Sequence, residues 1–365
     1  MQFDYLAGGV EFKFLTAYTS LMAAQHQHYV PKLLLRGFLS GDSEEAAKER
    51  VRVFDLVESK AFTTSIDNIM GERRFNDFWL DEEHLATVES AAGRIESYVA
   101  PMVERIRDEK RLLRNSEEHG DLCLLMAFQF IRTKKMRQLP EWLKRQILDQ
   151  VERMGLDPKK VDGLEIWDEE KLKREHVRHQ ERNLGEYAKH FAEKEFFLMV
   201  APEGSSFYLG DHPVVLHSDE ERHFMRGLGI GIPYIQIYLP LSAEVMLCAY
   251  CPAVLGQLMK VRDEEMSKGQ GMALKLLMER KITAAQMNKM VKGAKEYDFV
   301  TPLIDTIRAG EPVYVEPQQV QCYNSLQAFQ AHRFVVDPEG KFDVAREMIA
   351  ERKAADSDAT DHVAL

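Results

Sequence analysis

At Glu195 the hydrophobic pattern of this chain changes period, and that change limits what it can fold into more than any other feature. Upstream, apolar residues recur every three or four positions, the stripe of helices that each bury one face. Leu85, Val88, Ala92, Ile95, Val99 and Val103 make the first stripe, with Pro101 setting a kink or an end. The apolar block LCLLMAF within Asp121 to Arg137, continuing as QFIRTKKMRQ, predicts a second helix that stops at Pro140. A third is expected over Glu141 to Met154, ending at Gly155, and a densely charged fourth from Asp168 to about Lys194. Downstream the period shortens. FFLMVA, FYLG, DHPVVLH, YIQIYLPL and VMLCAY follow one another with turn signals between, the texture of a mainly antiparallel sheet. Helix returns over 253–296, and a strand near VYVEP, a helix from Asn324 to His332 and FVVD close the core. Ahead of all this, VRVFDL reads as a short strand with Val51, Val53 and Asp55 on one face and Arg52, Phe54 and Leu56 on the other.

The architecture expected is α+β, a large helical layer inserted between an N-terminal strand and a mainly antiparallel C-terminal sheet. Residues 25–353 are expected to form a single domain, with the helical insertion at about 80–194 and the sheet-rich part at about 195–337. An N-terminal extension over 1–24 precedes it, and a polar, disordered tail over 354–365 follows.

Of 365 residues, 45% are apolar, enough for a substantial core and too many for general disorder. A formal charge of -11 argues against a protein that coats nucleic acid over its whole surface, though a local basic groove is compatible with it. No apolar run reaches the roughly 18 residues that cross a bilayer, and no basic-then-apolar leader opens the chain. The expectation is a cytoplasmic protein whose four cysteines are reduced. Cys248 and Cys251 form one CxxC with no second pair, in an apolar strand, so zinc or redox chemistry is not expected there. Gly227, Gly229 and Gly231 lack the phosphate-loop lysine and spacing and read as a mobile loop. His176 and His179 share one face of a charged helix and are expected to be exposed.

Five constellations could carry chemistry. His28 precedes Pro31, which opens a helix on which Arg36 falls in the second turn. His28 could serve as a general base and Arg36 could grip a phosphate or carboxylate; equally, His28 could bind a backbone carbonyl while Arg36 lies on the surface. Glu89 and Glu96 share a helix face two turns apart, too far to share one ion easily, so a solvated acidic face is the simpler reading. Gln129 and Arg132 emerge from an apolar helix and must be satisfied by water or by partners in a pocket. Arg132, Lys134, Lys135, Arg137, Lys144 and Arg145 against Glu141 make a local balance of +5, which would attract a nucleotide or a nucleic-acid strand, or would simply solvate a helix end. Asp211 in Gly-Asp-His-Pro either makes an Asx turn or is oriented to ligate, to accept a hydroxyl or to hold His28. Asn324 is expected as a helix N-cap, with Arg333 beyond it.

Taken in order, His28-Tyr29-Val30-Pro31, Leu35-Arg36-Gly37-Phe38, VRVFDL, Gln129-Phe-Ile-Arg132-Thr133, Gly-Asp211-His-Pro213, LPLS and Asn324 to Arg333 resemble the bacterial family of domain of unknown function 4238 over roughly residues 25–337. By that resemblance His28, Arg36, Gln129, Arg132, Asp211 and Asn324 belong to one pocket, with no established activity attached. Gly210 stands where the family pattern leads one to expect a hydroxyl residue before the aspartate. The expectation drawn is a hydrolase of phosphodiesters or nucleotides, nuclease-like, with His28 as base, Asp211 as its orienter or as ligand to a divalent metal, and Arg36 and Arg132 stabilising charge on phosphate. Gln129 and Asn324 would position the substrate. The alternatives are a non-catalytic module that senses a nucleotide or binds a protein, in phage defence for example, and a purely structural role for these residues.

Overall fold

In the computed structural model, residues 17–18, 26–41, 49–79, 81–158, 161, 163–219 and 229–361 are described. Their strands are β1 (Ala17–Tyr18), β2 (His26–His28), β3 (Arg50–Asp55), β4 (Lys60–Ser65), β5 (Gly71–Arg73), β6 (Asp77–Trp79), β7 (Leu85–Thr87), β8 (Glu195–Val200), β9 (Leu209–Gly210), β10 (Val215–His217), β11 (Gln236–Pro240), β12 (Val245–Tyr250), β13 (Val313–Tyr314) and β14 (Phe334–Val336). Their α-helices are α1 (Lys32–Leu35), α2 (Glu89–Glu109), α3 (Ser116–Ile131), α4 (Lys134–Arg153), α5 (Glu169–Ala192), α6 (Pro252–Met278), α7 (Ala284–Glu296), α8 (Val300–Ala309), α9 (Pro317–Gln330) and α10 (Asp343–Asp361). The class is α+β, as the change of period implies.

The near-continuous apolar runs EFFLMV and VMLCAY belong to strands covered on both faces. Sheet order is β10-β11-β12-β8-β13, antiparallel throughout except where β13 runs parallel to β8. Alternation sorts the side chains. Phe196, Leu198, Val245, Leu247, Ile237 and Leu239 enter the main core with α2, α3 and α5. Their neighbours Phe197, Met199, Met246, Cys248 and Tyr238 face the other way, against Ile307 of α8 and Val320 of α9. The core sits between that sheet and α3, which is buried on nearly all sides; a helix that is apolar all round has to be.

A second sheet, β4-β3-β14-β9, joins early and late segments of the chain: β3 pairs with β14 through Val53↔Val336, Phe54↔Val335 and Asp55↔Phe334. Val51 and Val53 face the main core, while Phe54 meets Tyr208, Val335 and Phe342 on the far side, so the strand is covered on both faces. Among the described residues no helix is long and apolar enough to cross a membrane.

Helix boundaries depart from the sequence pattern where polar side chains intervene. The stretch expected as one helix from Asp121 to Arg137 is two, broken at Arg132 and Thr133, because the Thr133 hydroxyl caps the Met136 N–H and starts α4. Pro101 and Pro140 lie inside α2 and α4 rather than ending helices, and Leu85 lies in β7. The last core helix begins at Pro317 with Glu316 as N-cap, so Asn324 is a mid-helix residue and not the cap. Residues 354–361, expected in a disordered tail, continue α10; 362–365 lie outside the described residues, as does the 1–24 extension apart from β1. Of the Gly227 loop, 227 and 228 lie outside them too.

Asn324 instead holds the loop before β9. Its Oδ1 accepts from Tyr208 N (2.7 Å) and its Nδ2 donates to the Ser206 carbonyl (2.9 Å). Asn324→Ala leaves both backbone groups without that partner and is expected to lower unfolding free energy by about 2–3 kcal/mol, measured by urea denaturation.

Candidate functional site

The segment after β2 leaves the sheet and runs through the core without a strand beside it, so its backbone groups need other partners. Tyr29 N and Val30 N both donate to the Met70 carbonyl, at 3.0 and 3.3 Å. The carbonyls are taken from the opposite side by the end of α3: Gln129 Nε2 donates to Tyr29 O (3.1 Å) and Arg132 Nη2 to His28 O (2.6 Å). The i, i+3 spacing of Gln129 and Arg132 lets one helix face grip two successive carbonyls. Gln129 Oε1 is buried with no hydrogen-bond partner.

Arg132 is 2% exposed and would be costly there alone. Its Nη1 pairs with Glu96 Oε1 at 2.5 Å, and its guanidinium lies 4.5 Å from the centroid of the Phe128 ring. Glu89 accepts from Asn76 Nδ2 at 2.5 Å, and its carboxyl is pushed up by burial. The two glutamates are therefore partners of buried groups rather than a solvated face. Gln27 completes the cluster, donating to Asp77 Oδ1 (2.7 Å) and accepting from Asn76 N (2.6 Å).

His28 directs Nε2 at the Ile66 carbonyl, 2.9 Å away. A carbonyl cannot donate, so Nε2 carries the proton and Nδ1 the lone pair. Burial holds the imidazole below its usual pKa, against the pull of that carbonyl.

Asp211 is fully buried and accepts from three successive backbone N–H groups, His332 (2.6 Å), Arg333 (2.9 Å) and Phe334 (3.1 Å). Burial nevertheless pushes its carboxyl up to about 6. Beside it, His212 Nδ1 meets the Thr133 hydroxyl at 2.7 Å, and burial lowers this imidazole to about 3. The turn is pinned from outside by α9: Gln327 bonds Gly210 N (3.0 Å) and Pro213 O (2.9 Å), and Gln330 bonds Leu216 N (3.0 Å) and O (2.6 Å). Tyr29 joins the two clusters, since Asp211 and Glu72 act on its hydroxyl after burial has raised it.

Three of the six expected residues, His28, Gln129 and Arg132, thus meet on one segment. Asp211 belongs to the neighbouring turn, with its oxygens occupied by backbone N–H groups and His28 turned to Ile66. Arg36 lies in a 3-10 turn at the surface, paired with Glu49 (2.8 Å), and Asn324 serves the loop before β9. In the Leu-Arg-Gly-Phe motif the constrained residue is Gly37: a Cβ there would stand 2.3 Å from the Leu241 carbonyl.

The basic run does not form one face. Lys134 pairs with Glu72, the half-buried Lys135 donates to the Gln330 carbonyl (2.7 Å), and Lys144 bonds Glu141 (3.3 Å) and the Glu165 carbonyl (3.0 Å). Arg137 donates to Phe75 O (2.6 Å) and stacks 3.5 Å from the Phe75 centroid. His176, expected at the surface, is buried, with Nε2 on Ile131 O (2.9 Å) and Nδ1 accepting from Arg137 Nε (3.3 Å). Burial lowers its pKa to about 3. Among the described residues no three His, Cys, Asp or Glu side chains are placed to hold a metal ion.

Sequence reasoning gave no role to Gln27, Thr133, Gln327 and Gln330. One signal was present: Asn324, Gln327 and Gln330 recur every three residues, the same spacing as Gln129 and Arg132.

Space for a ligand lies to one side, in a cleft of about 360 Å³ between α4 and α5. Met136, Leu139 and Leu143 of α4 and Trp167 from the segment before α5 line it, with Arg178, Arg182, Asn183 and Tyr187 of α5. His179 stands between Asn183 Nδ2 (3.0 Å, to Nδ1) and the Tyr187 hydroxyl (3.4 Å), and burial lowers its pKa. Lys144 covers the Trp167 ring at 3.4 Å.

The buried titratable groups fix a pH signature. Below pH 6.5 the unfolded chain protonates the His176 and His212 imidazoles, while the folded chain leaves them neutral until about pH 3. Asp211 opposes them, because the folded protein keeps up to about pH 6 a proton that the unfolded chain releases near its usual 3.8. Across this window these three groups give the unfolded state one net extra proton, so their joint contribution to stability falls on acidification, by on the order of 1.4 kcal/mol per pH unit. Asp211→Asn is expected to steepen the slope by about one proton, and His212→Gln to flatten it by as much, in urea midpoints measured between pH 4.5 and 6.

No curated protein and no solved structure matches the chain. A family model described as protein of unknown function DUF4238 matches residues 26–340, from the His26 strand through β14. That span holds the carbonyl clamp, the Asp211 turn and the α9 side chains that pin it, and the chain belongs to the DUF4238 family.

Proposed function

We propose that this protein is a binding module whose ligand is a small anion with a planar or apolar body, nucleotide-like in its chemistry, held between α4 and α5. The observation that carries this reading is the make-up of the cleft. Met136, Leu139 and Leu143 supply apolar walls and Trp167 an aromatic one, while Arg178 and Arg182 bring two guanidinium groups to the opposite side. Glu175 pairs with Arg178 at 2.5 Å, and Arg182 makes no side-chain hydrogen bond or ion pair among the described residues. On a chain of net charge -11, a cationic cleft with apolar walls selects for negative charge joined to a flat body. Asn183 supplies polar atoms that could read the edge of such a ligand.

The motif residues fit this reading as supports, since Arg132, Asp211, Gln129 and Asn324 are engaged with backbone and leave little for a reacting group. One observation favours the hydrolase as a second reading. His28 Nδ1 keeps a lone pair on a half-buried, neutral imidazole, which is what a general base needs.

A panel of nucleoside mono- and triphosphates, assayed by thermal shift, tests the binding reading. Saturable stabilisation is expected in the parent, with affinity weakened about tenfold or more in Arg182→Ala, whose fold does not depend on that exposed side chain. No stabilisation by any member, or equal stabilisation in Arg178→Ala/Arg182→Ala, overturns it. Product formed from nucleotides, DNA or RNA, and abolished in a folded His28→Ala, would establish the hydrolase instead.

A further inference from the structure

A second cavity, of about 390 Å³, lies at the far end of α3 and is lined by Arg114, Asn115, Ser116, His119, Lys194 and Phe196 among others. It opens where the N-terminus of α3 meets the C-terminus of α5. Asn115 caps α3 by accepting from Glu118 N (2.8 Å), and the backbone N–H groups of the first turn carry the positive end of a sixteen-residue helix.

Lys194 is 5% exposed, yet its ammonium makes no hydrogen bond or ion pair among the described residues. The arginine at this cavity is paired. Arg114 donates to the Phe196 carbonyl (2.7 Å) and lies 3.3 Å from Glu195. The acids are also engaged: Glu118 takes Arg105 and accepts from Leu113 N (2.6 Å), and Glu195 takes Arg114. Only Glu193, exposed at the rim, has no such partner. His119 directs Nε2 to the Ala192 carbonyl (3.2 Å), so its proton is committed there, and its ring stands edge-on to Phe196 with centroids 5.3 Å apart. The cavity therefore combines one unpaired ammonium, a helix N-terminus and an apolar wall of Phe196, Leu112 and Leu122.

We propose that this cavity binds a small oxyanion, a carboxylate or phosphate group, between the Lys194 ammonium and the α3 N-terminus. The site is separate from the α4–α5 cleft and shares no lining residue with it. A ligand with an apolar portion would lay it on Phe196.

The probes are inorganic phosphate and benzoate, titrated calorimetrically into the full chain at constant ionic strength. Saturable binding of at least one is expected. Lys194→Met should weaken it on the order of tenfold or more, while Arg178→Ala/Arg182→Ala should leave it unchanged, which separates this site from the proposed nucleotide cleft. Should Lys194→Met fail to fold, acylation of Lys194 in the parent, followed by mass spectrometry, replaces it: a bound probe should slow labelling at that lysine. Absence of saturable binding, binding unaffected by Lys194→Met, or labelling unchanged by the bound probe would each overturn the proposal.

Discussion

A stretch of irregular backbone, Tyr29 to Pro31, leaves the end of β2 and crosses the interior of this protein, and the grip of Gln129 on the Tyr29 carbonyl and of Arg132 on the His28 carbonyl is what makes that crossing affordable. The alternative is two buried carbonyls without donors, each worth about 1–3 kcal/mol of lost stability. Arg132 does more than a neutral donor would, because its charge must itself be met, and Glu96 on α2 meets it. One guanidinium therefore ties β2, α2 and α3 together. Because each partner removes the penalty of the other, loss of any member leaves a buried group worse off than in an apolar core.

The same device recurs on the other side of Tyr29. Asp211 caps three N–H groups ahead of β14, and Gln327 and Gln330 fasten the two sides of its turn to α9. Here acceptor and donor roles are reversed: a carboxylate serves N–H groups where a guanidinium served carbonyls. The fully buried carboxyl is pushed up to about 6 even with three donors, which measures how strongly the interior resists charge. His212 and His176, held neutral by the same interior, show that the region selects uncharged rings that still accept or donate one hydrogen bond.

Much of the fold was legible because it follows from period. Strands covered on both faces read as apolar runs, and α3 reads as a helix apolar on every side. Boundaries were less so. Thr133 restarts a helix in a stretch whose hydrophobic pattern runs on, and Pro140 sits beyond that restart instead of ending anything. The candidate site was half legible for a related reason. A polar residue in an apolar helix announces that it must be satisfied, which singled out Gln129 and Arg132, but nothing in the spacing says whether the partner is a ligand or a carbonyl a hundred residues away. For Asn324, Gln327 and Gln330 the answer is again backbone. Glu96 and His176 were misplaced because charge in the sequence suggests solvent, whereas each is the partner of a buried arginine.

This division of labour bears on where ligand chemistry can reside. A side chain that bridges segments distant in sequence is fixed by its partners, and moving it toward a substrate would strip a backbone group of its bond. Among the described residues, Arg182 on α5 and Lys194 just beyond the end of the same helix stand at openings and make no side-chain hydrogen bond or ion pair. The two lie about 18 Å apart along a straight helix of this rise, far enough to act separately yet joined by one rigid element. α5 packs along α3, the helix that carries the carbonyl clamp, so Arg182, midway along α5, and Lys194, just beyond its C-terminus, stand on the same buried framework. The openings and the ordered interior are thus built on one pair of helices.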